Sequence, residues 1–179
     1  GFTVIAPADS VETVKAVRAA ADIEGPVYIR LYRSDTPIVH SAPCDFSIGK
    51  IERMRQGNSA TIMATGSMVA ASIDAAEDLS KNGIDCRVLN VHTLKPLDEV
   101  SIINAARETG VVVVAEEHYI HGGLSSSVAQ VLSHHHPVPM ESVALSCYTE
   151  SGKPEELLKK YHLTAVDIKT AVNRAISRK

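Results

Sequence analysis

The sequence predicts an α/β protein with a doubly wound, mostly parallel sheet, preceded by a partial βαβ unit from another α/β domain. Apolar β-branched runs of strand length alternate along the chain with longer stretches of helical period, which is typical of this fold class. The run "VVVVAEE" begins with continuous β-branched residues, as expected for a strand covered on both faces. Gly83 and Gly110 follow two of the helical stretches and are suited to end a helix.

Composition narrows the class of protein. The 179 residues could hold one large domain, or one and a half ordinary ones. Hydrophobic residues make up 45% and charged residues 22%, which is an ordinary globular composition. The formal net charge of -3 provides no broad basic surface, so we expect no binding of nucleic acid. No apolar run approaches the ~18 residues that a membrane-spanning helix requires, so we expect no membrane segment.

The three cysteines indicate a reducing compartment. Cys44, Cys86 and Cys147 are odd in number and widely spaced, and no C-x-x-C motif is present. We therefore expect free thiols and a cytoplasmic location rather than a disulfide framework or a thiolate metal site. Cys86 and Cys147 fall in strand-like runs, which predicts that both are small core residues.

The first 33 residues read as strand, helix and strand. "TVIAP" and "GPVYIRL" are the predicted strands, and Asp9 can cap a helix over Glu12 to Ala21. Val14 and Val17 are placed on the buried stripe of that helix. About thirty residues are too few for an independent core, so this unit is expected to be the tail of a domain whose body lies elsewhere.

Residues 34–46 contain two prolines and few periodic apolar positions, which predicts a linker. "IGKIERMRQG" then reads as an edge strand, because charged residues occupy one side of it. From Ser59 onward strands and helices alternate regularly, with a proline-containing loop "HTLKP" before a helix that begins at about Asp98. The predicted strands are "ATIMAT", "DCRVLNV", "VVVVAEE" and "VPMESVAL", and the last helices are 154–161 and 165–177.

The segment "EEHYIHGGLSSS" is the first candidate site. Glu116, His118 and His121 lie at the carboxyl end of the "VVVV" strand, and Gly122 and Gly123 allow a turn into a helix. The free N–H groups and dipole of that helix predict an anion or carboxylate site. Three alternatives stay open: a metal site formed by Glu116, His118 and His121, a catalytic histidine, and a tightly turned loop that docks against another domain.

Two further motifs indicate structural roles rather than binding or catalytic roles. "TGSMVAAS" lacks the second and third glycines of a dinucleotide fingerprint, so it predicts a tight strand-to-helix turn. The adjacent His134, His135 and His136 point in different directions on a helix, which predicts a solvated helix end rather than a metal site.

The stretch "GPVYIRLYRSD" is the second candidate site. Its alternation predicts a strand that contains Arg30 and places Arg33 just past the carboxyl end. Ligands of open α/β sheets bind at such ends. A guanidinium offers parallel N–H donors and a permanent charge to an anion. The alternative for Arg33 is a surface ion pair with Asp35.

Five blocks of the chain together resemble the carboxyl-terminal part of transketolases, and most closely the split form with two separate chains. The blocks are "PADSVETVKAV", "GPVYIRLYR", "ATIMATGSMVAASIDAAEDLSKNGIDCRVLNVHTLKPLDE", "VVVVAEEHYIHGGLSSSVAQVLS" and "ESGKPEELLKKYHLTAVDI". Deoxyxylulose phosphate synthase and the beta subunit of 2-oxoacid dehydrogenases are similar alternatives. The run "AEEHYIHGGLSSSVAQVL" followed by "ESGKPEELL" favours transketolase.

The resemblance implies a domain organisation. Transketolases place thiamine diphosphate and Mg²⁺ between two α/β domains, and a third domain follows. Residues 1–33 then correspond to the tail of the pyrimidine-binding domain, 34–46 to a linker, and 47–179 to the transketolase C-terminal domain. The residues that activate the cofactor and bind its diphosphate and metal belong to upstream segments. We therefore expect this chain alone to bind neither cofactor nor metal and to be inactive.

One functional residue carries over by resemblance. The family's Arg-x-x-Arg at the end of the last pyrimidine-domain strand supplies a substrate-phosphate arginine at its second position, which is Arg33 in "RLYR". Tyr32 and Ser34 depart from the family, which often has Ser and Pro there, and this leaves the pose of Arg33 open.

The implied activity is transfer of a two-carbon ketol unit between sugar phosphates in the pentose phosphate pathway. The implied partners are an amino-terminal transketolase half or upstream domains, a second copy in a homodimer, and sugar phosphates. The competing hypothesis is a non-catalytic interaction or ligand-binding module that uses the "HGGLSSS" helix terminus.

Overall fold

The computed structural model describes residues 1–40 and 45–179. Residues 41–44, which include Cys44 and part of the predicted linker, lie outside the described residues. The strands are β1 (Thr3–Ile5), β2 (Val27–Ile29), β3 (Glu52–Arg55), β4 (Ala60–Ala64), β5 (Cys86–Asn90), β6 (Thr93–Lys95), β7 (Val112–Tyr119) and β8 (Met140–Leu145). The helices are α1 (Ser10–Ala21), α2 (Met68–Ser80), α3 (Glu99–Thr109), α4 (Leu124–His135), α5 (Pro154–Lys160) and α6 (Ala165–Ile176). Over the described ranges, none of these helices combines the length and apolarity needed to cross a membrane.

The larger sheet has five strands in the order β3-β5-β4-β7-β8. Strand β4 pairs in parallel with both β5 and β7, and β7 pairs in parallel with β8. Strand β3 is antiparallel to β5 and lies at the edge of the sheet, where its charged residues predicted it. The predicted α/β class with a mostly parallel sheet is therefore confirmed.

Helices cover both faces of this sheet. Side chains of successive strand residues enter two separate cores, as Ile62 and Met63 of β4 show. Residues of α2 and α6 pack in the core that contains Ile62, and residues of α3 and α4 pack in the core that contains Met63. Because both faces are covered, all five residues of β4 are buried, which explains why its sequence is apolar without alternation.

Local capping fixes where α3 begins and ends. The side chain of Asp98 accepts a hydrogen bond from the backbone N–H of Ser101, as an N-cap residue does. Gly110 ends the helix with a φ of 69°, a left-handed conformation that residues with a side chain rarely adopt. The sequence-based limits of this helix were therefore accurate at both ends.

The smaller sheet has three strands in the order β2-β1-β6. Strands β1 and β2 are parallel and are joined through α1, so the predicted βαβ unit is present. Strand β6 was predicted as a proline-containing loop, and this prediction was wrong. Its residues pair antiparallel with β1, and Val4 lies opposite Lys95. The pairing partner lies some ninety residues away in the sequence, so no local pattern indicates this strand.

The prediction for the buried face of α1 was wrong. Val14 and Val17 are 50% and 49% exposed, whereas Glu12 and Ala16 are buried. Apolar spacing shows which side of a helix avoids water, but in the described residues no element covers that side. Cys147 also departs from prediction. It is exposed because β8 ends at Leu145, whereas Cys86 is fully buried as predicted.

Candidate functional site

The strand order creates a switch point between β4 and β7, because the chain continues from β4 to β5 on one side and reaches β7 on the other. Ser67 follows the carboxyl end of β4, and Glu117 lies near the carboxyl end of β7. The hydroxyl of Ser67 donates a hydrogen bond of 2.8 Å to Oε2 of Glu117. Ser67 and Glu117 therefore mark the part of the sheet edge where an α/β protein is expected to bind a ligand.

One of two neighbouring cavities adjoins this switch point. The first, of about 550 Å³, extends from residues 32–37 across Ser67 and Glu117 to helix α5. The second, of about 630 Å³, lies between residues 31–38 and the start of α1. Residues 32–36 line both cavities. The segment that follows β2 therefore separates two open volumes.

Arg33 lies in this separating segment and is exposed. It is the one cationic residue among the described residues that line either cavity. No ion pair joins it to Asp35 within the described ranges. The arginine ion pairs found there belong to Arg55, Arg87, Arg174 and Arg178. The guanidinium of Arg33 thus faces the cavities without a carboxylate partner in the described part of the chain.

Arg30 and Tyr32 position the segment that carries Arg33. Nη2 of Arg30 donates a hydrogen bond of 2.6 Å to the backbone carbonyl oxygen of Glu117, and its guanidinium carbon lies 5.3 Å from the Tyr32 ring centroid. The Tyr32 ring rests on Gly66, where any side chain would overlap the tyrosine hydroxyl. Gly66 also has a φ of 58°, which favours glycine. Arg30 therefore contacts the larger sheet, whereas Arg33 remains available.

The helix terminus predicted as an anion or carboxylate site holds a carboxylate of the chain itself. Glu116 is 1% exposed, and its two oxygens accept hydrogen bonds of 2.7 Å from the backbone N–H groups of Leu124 and Ser125. These are the first two N–H groups of α4, so the negative charge of Glu116 stabilises the positive end of the helix dipole. A Cβ on Gly123 would overlap this carboxylate, which explains the glycine at the turn. Sequence reasoning placed Glu116 near the helix but did not assign it this role.

Of the two histidines of the same loop, His118 approaches Glu116, with its Nδ1 3.9 Å from Oε2 of that carboxylate. His118 and His121 are exposed, and Nδ1 of His118 lies 2.8 Å from the carbonyl oxygen of Tyr119. In the described ranges, no metal-ligand grouping includes Glu116, His118 and His121. Docking of this loop, with Gly122 and Gly123 at its turn, stays a prediction.

A buried polar cluster near α1 was missed by sequence reasoning. Oδ1 of Asp9 accepts the backbone N–H of Glu12, and its Oδ2 accepts the backbone N–H groups of Val39 and His40 as well as contacting His40 Nδ1 at 2.9 Å. Burial alone would raise the pKa of Asp9, but these hydrogen bonds together lower it. Asp9 was predicted as a helix cap, but nothing local indicated that His40 would contact it.

Glu12 and Glu52 complete this cluster. Nε2 of His40 lies 2.9 Å from Oε2 of Glu52 and 3.9 Å from Oε1 of Glu12. Burial raises the pKa of Glu12, and hydrogen bonds from Ala8 and Asn90 offset part of that effect. Burial also opposes charge on His40, yet the Asp9 hydrogen bond and the charges of the surrounding carboxylates raise its pKa overall.

The fold and the switch-point cleft define an α/β domain with a mostly parallel five-stranded sheet. Residues 49–168 match the family model described as "Transketolase, C-terminal domain". The match covers more than half of the chain, and the chain therefore belongs to the transketolase C-terminal domain family.

Similar proteins agree with this assignment. The chain is 41% identical, over its whole length, to the 6-deoxy-6-sulfo-D-fructose transketolase subunit SqwH of Clostridium sp. (strain MSTE9), of which it covers 56%. It is 35% identical to mouse transketolase, with 98% of this chain and 29% of that protein aligned. The chain thus spans about half the length, or less, of these relatives.

Two solved structures share the fold. One, described as "Split gene transketolase, inactive beta4 tetramer", matches with a TM-score of 0.97 and 43% identity over 99% of this chain and 59% of that chain. Transketolase from Campylobacter jejuni matches with a TM-score of 0.75 and 19% identity over 97% of this chain and 26% of that chain. The second match supports the fold alone.

Proposed function

We propose that this chain supplies the carboxyl-terminal part of a thiamine-diphosphate-dependent transketolase that transfers a two-carbon ketol unit between phosphorylated sugars. The observation that carries the proposal is the family match over residues 49–168, joined by relatives named as transketolases that align with nearly the whole chain. The alternative families, deoxyxylulose phosphate synthase and the 2-oxoacid dehydrogenase beta subunit, have no such support among these relatives.

The proposed partner is an amino-terminal transketolase half, and the chain alone is proposed to be inactive. Support comes from the 56% coverage of the Clostridium subunit and from the structurally similar split-gene protein, which is described as an inactive tetramer. By analogy, copies of this chain contact one another in the assembled enzyme.

The described residues do not fit a diphosphate and its magnesium ion, so the cofactor is assigned to the amino-terminal partner. The first two N–H groups of α4 are already taken by Glu116. The cavity beside Arg33 offers a single cation and several carboxylates, among them Asp74 and Glu117. A diphosphate placed there would meet more negative than positive charge. No step of the cofactor chemistry is therefore assigned to this chain.

Exposed apolar side chains support the assignment of residues 1–33 to the tail of a pyrimidine-binding domain. Phe2, Val14, Val17, Tyr28 and Leu31 are between 49% and 60% exposed. Two of them, Val14 and Leu31, line the same cavity, and contiguous exposed apolar surface marks an interaction site. We assign it to contact with the amino-terminal half, and the division at residues 34–46 into linker and C-terminal domain is proposed on the same basis.

Arg33 is the proposed contribution of the chain to the active site. Its guanidinium would bind the anionic end of the sugar and so fix the distance of the reacting carbonyl from the cofactor. A charge-assisted hydrogen bond of this kind contributes about 1.5–3 kcal/mol. Arg30 and Tyr32 act as positioning residues, because they hold the segment on the larger sheet.

A second candidate substrate class is a sugar that carries a sulfonate. The 41% identical relative is named for 6-deoxy-6-sulfo-D-fructose. A sulfonate carries one negative charge, whereas a phosphate monoester carries about −1.5 to −2 at neutral pH. The one cation and the several carboxylates of the cavities suit the less charged group.

The proposal is tested by mixing the chain with the amino-terminal transketolase subunit from the same genome, thiamine diphosphate and Mg²⁺. We expect ketol transfer from a phosphorylated or sulfonated donor in the mixture and none from either subunit alone. Turnover by this chain alone would contradict the proposal that the amino-terminal partner is required for activity. A complex that forms without turnover would favour the non-catalytic module.

A further inference from the structure

Three side chains of types that bind metals, from separate segments, lie close together near the start of α1. Oε1 of Glu12, Nε2 of His40 and Oε2 of Glu52 lie within 4.8 Å of one another. The separations from His40 are 2.9 Å to Glu52 and 3.9 Å to Glu12. Ligands held tetrahedrally around zinc lie roughly 3.4 Å apart, which falls between these two distances.

The hydrogen bonds around His40 leave its Nε2 directed at two carboxylates. Asp9 accepts three backbone N–H groups, and its Oδ2 lies 2.9 Å from Nδ1 of His40, where the carboxylate accepts the Nδ1–H. In the neutral ring Nε2 then carries a lone pair, yet it lies 2.9 Å from Oε2 of Glu52, which is also an acceptor. Two acceptors at this separation need a positive charge between them, which either a proton on Nε2 or a metal ion supplies. A carboxylate on the far nitrogen is the usual support of a metal-bound histidine.

The cluster places three carboxylates, those of Asp9, Glu12 and Glu52, around one histidine. The side chains of Asp9, Glu12 and His40 are at most 2% exposed, and that of Glu52 is 31% exposed. No lysine or arginine in the described ranges forms an ion pair with these carboxylates. Buried charges of one sign are costly unless a counter-charge is present. A divalent cation would supply it.

An unpartnered oxygen lies beside the cluster. Asn90 is fully buried and donates its Nδ2 to Oε1 of Glu12 at 2.8 Å. Its Oδ1 has no hydrogen-bond partner in the described structure. A buried amide oxygen without a partner is uncommon, and a cation or its bound water offers one.

We propose that Glu12, His40 and Glu52 bind one Zn²⁺ or chemically similar divalent ion, with Asp9 orienting the histidine. An imidazole with two carboxylates suits zinc-class metals better than Mg²⁺ or Ca²⁺, which prefer oxygen ligands. Glu12 comes from α1, His40 from the segment that follows β2, and Glu52 from β3. The ion therefore links residues 1–33 to the larger sheet, and Asp9 also lines the second cavity. The proposal does not depend on the proposed enzymatic function.

The test uses the full 179-residue chain with His134, His135 and His136 replaced by alanine, because that exposed run could bind zinc adventitiously. After chelation and desalting, calorimetry with zinc chloride at pH 7.5 should give one site per chain with a dissociation constant in the micromolar range or below. Free zinc about 100-fold above that constant should raise Tm by roughly 5–10 °C.

Variants in the same background identify the ligands. Glu52→Gln keeps the shape of a partly exposed side chain and should abolish zinc binding while circular dichroism is unchanged. His40→Ala should also abolish it. Asp9→Asn keeps a good helix cap and should weaken affinity by about 10- to 100-fold. His162→Ala is the matched control, because it removes an exposed histidine that lies 3.3 Å from Asp167, and it should bind zinc normally.

Two outcomes would overturn the proposal. One is the absence of a stoichiometric zinc site in the background protein, together with a His40 ring protonated on both nitrogens at pH 7.5 by NMR. A proton would then be the bridging cation. The other is zinc binding that Glu52→Gln and His40→Ala leave unchanged.

Discussion

The guanidinium of Arg30 donates a 2.6 Å hydrogen bond to the backbone carbonyl oxygen of Glu117, 87 residues further along the chain. The bond joins the end of β2, in the smaller sheet, to the end of β7, in the larger sheet. It fixes where Arg33 emerges relative to the switch point. The position of the proposed substrate-binding residue therefore depends on a contact between the two sheets.

Replacing Arg30 by methionine should loosen residues 1–33 without unfolding the larger sheet. The variant loses a charged donor to a carbonyl oxygen, a contribution of about 1.5–3 kcal/mol. Hydrogen exchange should show less protection in β1 and β2 and little change over 59–145. In the wild type 59–145 should already be the better protected part. Arg18→Met on exposed α1 surface is the control, and equal protection of both regions in the wild type would contradict the division.

Glu116→Gln should destabilise the larger sheet and its helices by about 1.5–3 kcal/mol, because one amide oxygen replaces a carboxylate that accepts two helix N–H groups. Gly123→Ala should have a similar effect, since its methyl group would overlap that carboxylate. Urea unfolding with an unchanged m-value measures both. Glu117→Gln, which still offers an acceptor to Ser67, should change stability much less. If Glu116→Gln matched this control, Glu116 would not stabilise α4.

His92 should make the protein less stable in mild acid. Burial, with the nearby charge of His40, lowers the pKa of His92 to about 4. The ring centroids of His92 and Phe46 are 4.3 Å apart. The unfolded chain binds this proton near pH 6.5, so stability falls as pH drops from about 6.5 to about 4. The total effect is roughly 3 kcal/mol.

The measurement is the free energy of unfolding against pH for wild type and His92→Gln. Subtracting the two curves removes the contribution of other titrating groups. The difference should change between pH 6.5 and 4 and be flat above pH 7. A difference that does not vary with pH would show that His92 titrates equally in the folded and unfolded chain.

The larger sheet could be predicted from sequence because each of its parallel strands is a local signal. The strand "ATIMAT" is apolar throughout and lies between turn residues, and Gly110 marks the end of α3 on its own. Strand β6 could not be predicted, because "TLK" has no period of its own and becomes a strand only against β1. A local sequence pattern predicts a strand only where the strand does not depend on a distant pairing partner.

The site was predicted unevenly for the same reason. Arg33 could be placed past a strand end because strand alternation is a local feature, whereas its role in binding a phosphate rests on the resemblance and stays a prediction. The roles of Glu116 and His40 were missed, because each depends on a partner brought close by the fold, the α4 backbone for Glu116 and Asp9 with Glu52 for His40. The sequence singled out Glu116 but not its contacts, and it did not single out His40.

The most direct test of the central claim compares donors in the assembled enzyme with Arg33→Ala. Loss of the guanidinium should raise KM for phosphorylated or sulfonated donors by roughly 10- to 150-fold, the equivalent of about 1.5–3 kcal/mol. Uncharged ketol donors should be nearly unaffected, and Arg33→Lys should restore only part of the affinity because a point charge replaces a planar fork. A larger loss on the phosphorylated than on the sulfonated donor, or the reverse, identifies the anion that Arg33 binds. An equal loss on charged and uncharged donors would contradict the account, because Arg33 would then support the fold rather than bind the substrate.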